Sequence, residues 1–129
     1  MTDAVSTISQ WTLDVQDVEL LARFWSQALG YRVEAGSDGS AKLYPPPEAP
    51  ATALTVWLQA SAGPKNGKNR NHPDLTTPND PDAEAQRLIA LGAKPVDVGQ
   101  TGDEGFIVLA DPEGNEFCVL RGSPRKPLT

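Results

Sequence analysis

The chain repeats itself at one fixed offset. Gln10-Trp-Thr-Leu-Asp-Val leads into Asp17 and an apolar-periodic run ending Ala28-Leu29-Gly30. His72-Pro-Asp-Leu-Thr-Thr leads into Asn79 and a second run ending Ala90-Leu91-Gly92. Leu13 maps onto Leu75, Asp17 onto Asn79 and Gly30 onto Gly92, each by the same 62-residue step. A long internal period means one supersecondary unit used twice, so the chain reads as a pair of modules. The same step sets Gln10 and His72 at equivalent places, and polar residues at matched positions of paired modules point to a site between them.

Local signals give both modules one order of elements. Ile8 to Val15 reads as a strand rich in β-branched and aromatic residues. Asp17 is suited to cap a helix whose apolar face is Val18, Leu21, Ala22, Trp25 and Leu29, and Gly30 suits the left-handed position that ends it. Tyr31 to Ala35, Lys42 to Tyr44 and Ala53 to Gln59 read as strands, with Pro45, Pro46, Pro47 and Pro50 confined to a loop or an edge. The connector, residues 61–71, is broken by Gly63, Pro64 and Gly67. The second module starts with a strand at Asp74 to Thr77. Asn79 or Asp80 then caps a helix with Pro81 in its first turn, where the missing N–H costs nothing. Ala85, Leu88 and Ile89 trace its buried face. Lys94 to Val98, Phe106 to Ala110 and Glu116 to Leu120 complete the strands, and Asp111-Pro-Glu-Gly-Asn115 is a tight turn. The tail from Ser123, with Pro124 and Pro127, reads as loose. The expected fold is therefore α+β, two βαβββ modules at about 8–60 and 72–121 within a single domain of residues 1–129.

Charge and cysteine content narrow the partners. A net charge of −6 argues against nucleic acid, whose readers carry a basic face. The single cysteine, Cys118, excludes an intrachain disulfide. No apolar stretch has the length of a membrane span, and Met1 to Ser6 lacks the basic and apolar regions of a signal peptide. A cytoplasmic protein is the expectation.

Three stretches, with the order of elements, carry a resemblance to a known family. They are Trp11-Thr-Leu-Asp-Val-Gln-Asp17 with Phe24-Trp25 and Leu29-Gly30-Tyr31; Lys68-Asn-Arg-Asn-His72; and Asp111-Pro-Glu-Gly-Asn115 before the last strand. In these the chain resembles the glyoxalase-like domains of the vicinal oxygen chelate superfamily, from about Ile8 to Arg121. The resemblance implies modules that each curl into half of an open barrel, helices outside, around a ligand cleft. It also implies a homodimer, in keeping with open sheet edges that invite pairing. It leaves the chemistry open, since the superfamily holds metal-dependent isomerases, ring-cleaving dioxygenases, thiol transferases and drug-sequestering proteins.

Metal enzymes of that superfamily take ligands from the first and last strand of each module, His or Gln at the start and Glu at the end. Here the first-strand positions hold Gln10 and His72. The resemblance expects a Glu three residues beyond the Asn of the last turn, and Cys118 stands there. Its counterpart in the first module is Val56 by constant offset or Gln59 by spacing from the connector; Gln59 is preferred. No carboxylate falls at these positions. A divalent cation (zinc, iron, nickel or manganese) held by Gln10, His72 and Cys118 would lack charge neutralisation, and the usual general base is absent as well. No catalytic residue is assigned.

The expectation is a small-molecule-binding protein without a complete metal-ligand set, its site bordered by Gln10, Trp57, Gln59, His72 and Cys118. The alternative is a metal-dependent lyase, isomerase or dioxygenase. Plainer readings stand beside each residue. His72 and the glutamines can satisfy local polar groups, and Cys118 can be an inert core thiol. Strand alternation nonetheless separates Cys118 from Phe117 and Val119, sends it toward the cleft, and sets Trp11 opposite Gln10. Lys65, Lys68 and Arg70 read either as an anion clamp, with Arg70 gripping a carboxylate or phosphate, or as a solvated connector in which Arg70 pairs with Asp74 or another acid.

Overall fold

Asp17 shows how the sequence sets the first element. Its carboxylate accepts the Leu20 N–H at 3.1 Å and starts helix α1, Val18–Leu29. Gly30 ends the helix at φ 70°, where the Tyr31 N–H reaches back to the Ser26 carbonyl at 2.9 Å. The computed structural model describes residues 5–60 and 63–125. The chain start at 1–4, Ser61 in the expected connector and Pro127 in the expected tail lie outside the described residues.

Around α1 the first unit, residues 1–63, sets strands β1 (Gln10–Val15), β2 (Arg32–Ala35), β3 (Ala41–Tyr44) and β4 (Thr55–Ala60) in the order β1-β4-β3-β2. The β1–β4 pair is parallel and the others antiparallel. One face of this sheet meets α1. Leu43, Val56 and Leu58 from the strands and Leu21, Phe24 and Trp25 from the helix are buried, and Trp11 meets Trp25 edge-on at 5.0 Å. Trp25 is wholly buried, as a core aromatic on the apolar stripe should be.

The second unit, residues 64–129, repeats the plan. Its strands are β5 (Asp74–Leu75), β6 (Lys94–Pro95), β7 (Phe106–Ala110) and β8 (Glu116–Leu120), in the order β5-β8-β7-β6 with the β5–β8 pair parallel. Helix α2, Pro81–Leu91, is capped by Asp80, whose carboxylate accepts the Ala83 N–H at 3.1 Å. Leu88 of α2 and Leu109, Phe117 and Val119 of the sheet are fully or almost fully buried. The fold is thus α+β, two βαβββ units of identical strand order. No helix of the described residues is long and apolar enough to cross a membrane.

β6 is shorter than the expected strand over Lys94 to Val98. Pro95 has no N–H to donate. Beyond it one backbone bond, from the Val96 N–H to the Val108 carbonyl at 3.4 Å, still reaches β7, and then Gln100 bonds the Val96 carbonyl at 2.6 Å and the Val98 N–H at 2.7 Å.

Candidate functional site

The last strand begins from a turn built on one buried side chain. Asp111 is fully buried. Its Oδ1 accepts the Glu113 and Asn115 N–H groups at 3.0 Å each and the Asn115 Nδ2 at 3.1 Å. Gly114 completes the turn at φ 88°, and the Asp111 N–H returns to the Asn115 carbonyl at 2.9 Å. The chain leaves this turn directly into β8. Strand alternation then sends Phe117 and Val119 toward α2 and Glu116, Cys118 and Leu120 to the opposite face.

On that opposite face one cross-strand row carries Asp74 of β5, Cys118 of β8 and Val108 of β7 as register partners. The Cys118 N–H donates to the Pro73 carbonyl at 3.1 Å, which fixes the His72–Asp74 segment beside the thiol. His72 Nε2 lies 3.3 Å from Asp74 Oδ1. The ligand atoms of His72, Asp74 and Cys118 all fall within 4.8 Å of one another. They form part of a cavity of about 310 Å³ with Lys68, Val98, Phe106, Val108, Glu116 and Leu120. The volume is at the lower end of small-molecule sites, and a mostly apolar wall with a few convergent polar groups is the usual make-up of one.

Asp74 is the centre of this polar group. It takes His72 on one side and the Cys118 S–H on the other. Burial pushes the Cys118 thiol up, the Asp74 carboxylate pushes it the same way, and Lys68 exerts a smaller opposing pull. The thiol is therefore held protonated and donates a hydrogen bond, instead of acting as a nucleophile. Burial also pushes the Glu116 carboxyl up. The Asn69 N–H at 3.0 Å and Lys65 Nζ at 3.1 Å outweigh it and hold that carboxyl below its usual range. The connector is thus pinned to β8 by two contacts to one carboxylate, and Lys68 is carried to the cavity wall between them.

These contacts revise the expected connector. Among the described residues Asp74 has His72 beside it at 3.3 Å, and no contact with Arg70 is seen. Lys65 serves Glu116, and Lys68, not Arg70, lines the cavity. Asp74 and Glu116 were not among the expected site residues. Each lies two residues from one that was, Asp74 from His72 and Glu116 from Cys118, so the period of a strand carries the signal for both.

The first sheet settles the counterpart of Cys118. Thr12 pairs with Trp57 in β1–β4 as Asp74 pairs with Cys118 in β5–β8. The register equivalent is therefore Trp57, neither Val56 nor Gln59. Val56 is buried toward α1. Gln59 shares the Trp57 face two residues on, and Gln10 occupies the same face of β1, its Oε1 accepting the Thr55 hydroxyl at 2.8 Å. At the positions the resemblance implies for ligands, the first unit holds Gln10 and Trp57 and the second holds His72 and Cys118. An indole has no lone pair to give a cation and a cysteine sulfur is a soft donor, so neither pair makes a manganese- or nickel-type oxygen cradle. The local trio of His72, Asp74 and Cys118 has a different chemistry, with one imidazole, one carboxylate and one sulfur, donors that suit zinc.

A larger hollow, about 510 Å³, runs along Thr76, Thr77, Asn79 and Pro81 and the segment Leu120–Arg125. Arg121 in its wall is already engaged twice by Asp82, at 3.1 Å each. Among the described residues no histidine, cysteine or carboxylate lines it, so the chemistry favours the smaller cavity despite the larger volume here.

Comparison with known proteins agrees with the fold. The chain is similar to the fosfomycin resistance protein FosX from Listeria monocytogenes, with a TM-score of 0.70 at 18% identity over 94% of each chain. It is similar to FosX from Mesorhizobium loti, with a TM-score of 0.66 at 19% identity over 94% of this chain and 95% of that one. A glyoxalase/bleomycin resistance protein/dioxygenase family enzyme from Burkholderia phytofirmans PsJN gives 0.63 at 17% identity over 88% and 97%. One Listeria FosX structure, of a point mutant, is a complex with Mn(II) and 1S,2S-dihydroxypropylphosphonic acid. No curated protein matches the chain in sequence. The family model described as "Glyoxalase-like domain" matches residues 10–120. With that match, the doubled βαβββ plan and the Asp111–Asn115 turn, the chain belongs to the glyoxalase-like domain family.

Proposed function

We propose that this protein binds a small organic molecule in the cavity at His72, Asp74 and Cys118, without depending on a metal. The observation that carries this reading is the convergence of three polar side chains, His72 and Cys118 each bonded to Asp74, beside an apolar wall of Phe106, Val108 and Leu120. The polar group offers both donors and an acceptor to orient a ligand, and the apolar wall supplies the burial energy. Gln10, Trp57 and Gln59 share the face of the first sheet turned away from α1, and we read them as ligand-facing groups of the first unit. The acidic composition and the four exposed residues of edge strand β2 support a cytoplasmic homodimer; a monomer mass by light scattering at high concentration counts against the dimer.

A thermal-shift screen of metabolites and antibiotics, run with and without a chelator, tests the binding reading. Ligands selective for the folded state raise stability by mass action, by about 2.7 kcal/mol at a hundred times Kd. The expected result is at least one compound whose shift survives chelation.

The second reading is a metal-dependent lyase, isomerase or dioxygenase, favoured by the proximity of the three donor types. Near-stoichiometric zinc in protein purified without added metal, with ligand shifts abolished by the chelator, selects it over the first.

A further inference from the structure

The cavity's charges are not equally committed. Asp74 has His72 and the Cys118 thiol, and Glu116 has Lys65 and the Asn69 N–H. Lys68, the remaining charged group on the wall, makes no ion pair or hydrogen bond among the described residues. Its ammonium is close enough to Cys118 to act on the thiol electrostatically, so its charge is felt at the polar group. On the other side the rim is apolar: Val98 is 42% and Phe106 36% exposed. In a chain of net charge −6, the connector with Lys65, Lys68 and Arg70 is the most basic local stretch, and it supplies one wall of this cavity.

We propose that the ligand is an amphipathic monoanion, a flat apolar body bearing one anionic group. The body lies against Phe106, Val98 and Leu120, and the anion pairs with the Lys68 ammonium. This rests on the cavity being a small-molecule site and adds the class of molecule. A cation would meet carboxylates already provided with partners and would face Lys68. A neutral apolar molecule would cover Lys68 without giving its ammonium an ion-pair partner, which is costly. A monoanion supplies that counter-charge and leaves the two existing carboxylate clusters undisturbed. A single ammonium matches a single negative charge, and the volume of about 310 Å³ admits one compact ring system.

Two fluorescent probes separate the parts of the claim. 8-Anilinonaphthalene-1-sulfonate and N-phenyl-1-naphthylamine share their rings, and the first carries a sulfonate. Both are titrated into the folded protein and into the Lys68→Gln, Lys68→Arg and Phe106→Ser variants, with folding checked by circular dichroism. The expected result is one-to-one binding of both dyes. Lys68→Gln weakens the sulfonate about tenfold, the scale of one charge-assisted hydrogen bond, and changes the neutral dye less than twofold. Lys68→Arg restores the sulfonate, and Phe106→Ser weakens both dyes. Saturable binding in which Lys68→Gln affects both dyes equally, or neither, overturns the monoanion assignment and leaves the small-molecule site standing. Failure of both dyes to bind at one-to-one stoichiometry overturns the site and the assignment together.

Discussion

Asp74 joins two neighbouring groups. Burial does most to keep the Cys118 thiol protonated, and Asp74, a carboxylate bonded to both His72 and Cys118, adds to it; a protonated thiol is a poor nucleophile. Replacing it with asparagine removes the charge that helps raise the thiol, so Asp74→Asn should speed alkylation of Cys118 by iodoacetamide at pH 7.5 several-fold. An unchanged or slower rate would show that Asp74 does not govern the thiol. Glu116 carries the opposite sign. Its folded carboxyl is held below the ordinary glutamate value, so the ionised form stabilises the fold above that value. That contribution is lost as pH falls through the depressed one. Lys65→Met should therefore be less stable than the parent at pH 7 and lose less stability between about pH 5 and pH 3. Superimposable pH–stability curves in urea would remove Lys65 from this role. In the sequence Asp74 was legible only as an acid beside His72 and Arg70, and Glu116 only as the first residue of the last strand, because which groups meet on a strand face depends on how the connector packs against it. Lys68 was legible only as one cation of a basic stretch, since the wall a connector residue reaches depends on where the connector is pinned.

Element boundaries were legible where a local rule acted alone. The caps at Asp17, Asp80 and Gly30 follow from side-chain acceptors and a permissive left-handed residue, and β7 and β8 fall at the expected limits, Phe106–Ala110 and Glu116–Leu120. The 62-residue step failed later in each unit for a definable reason. In the first unit the link between the second and third strands is residues 36–40 and that between the third and fourth is 45–54. In the second unit the corresponding links are 96–105 and 111–115. A short link facing a long one, then the reverse, moves the equivalent of Cys118 from Val56 to Trp57. Strand register depends on such loop lengths and not on periodicity. The turn that launches β8 is the element on which the site rests most heavily. Asp111→Ala removes the acceptor of two backbone N–H groups and of the Asn115 amide inside the protein. It should cost roughly 2–4 kcal/mol in denaturant unfolding, as buried donors left without partners do. A loss below the scatter of surface substitutions, about 0.5 kcal/mol, would contradict the account of the turn.

For the whole molecule, the doubled plan has diverged in chemistry while keeping its topology. The strand order and the parallel pairing are the same in both units. The matched positions hold Gln10 and Trp57 in one and His72 and Cys118 in the other, so the polar cluster is a property of the second unit. This divergence is why the fold could be read from the repeat while the site could be read only in part. A repeat reports what both units share, and ligand chemistry is what they do not. The most direct measurement of the central claim is a two-dimensional 1H–15N NMR titration with 8-anilinonaphthalene-1-sulfonate on protein stripped of metal. The account predicts saturable shifts strongest at the amides of Lys68, His72, Asp74, Phe106, Val108 and Cys118. Shifts centred instead on the hollow at Thr76, Asn79 and residues 121–125, or appearing only after zinc is added, would contradict it.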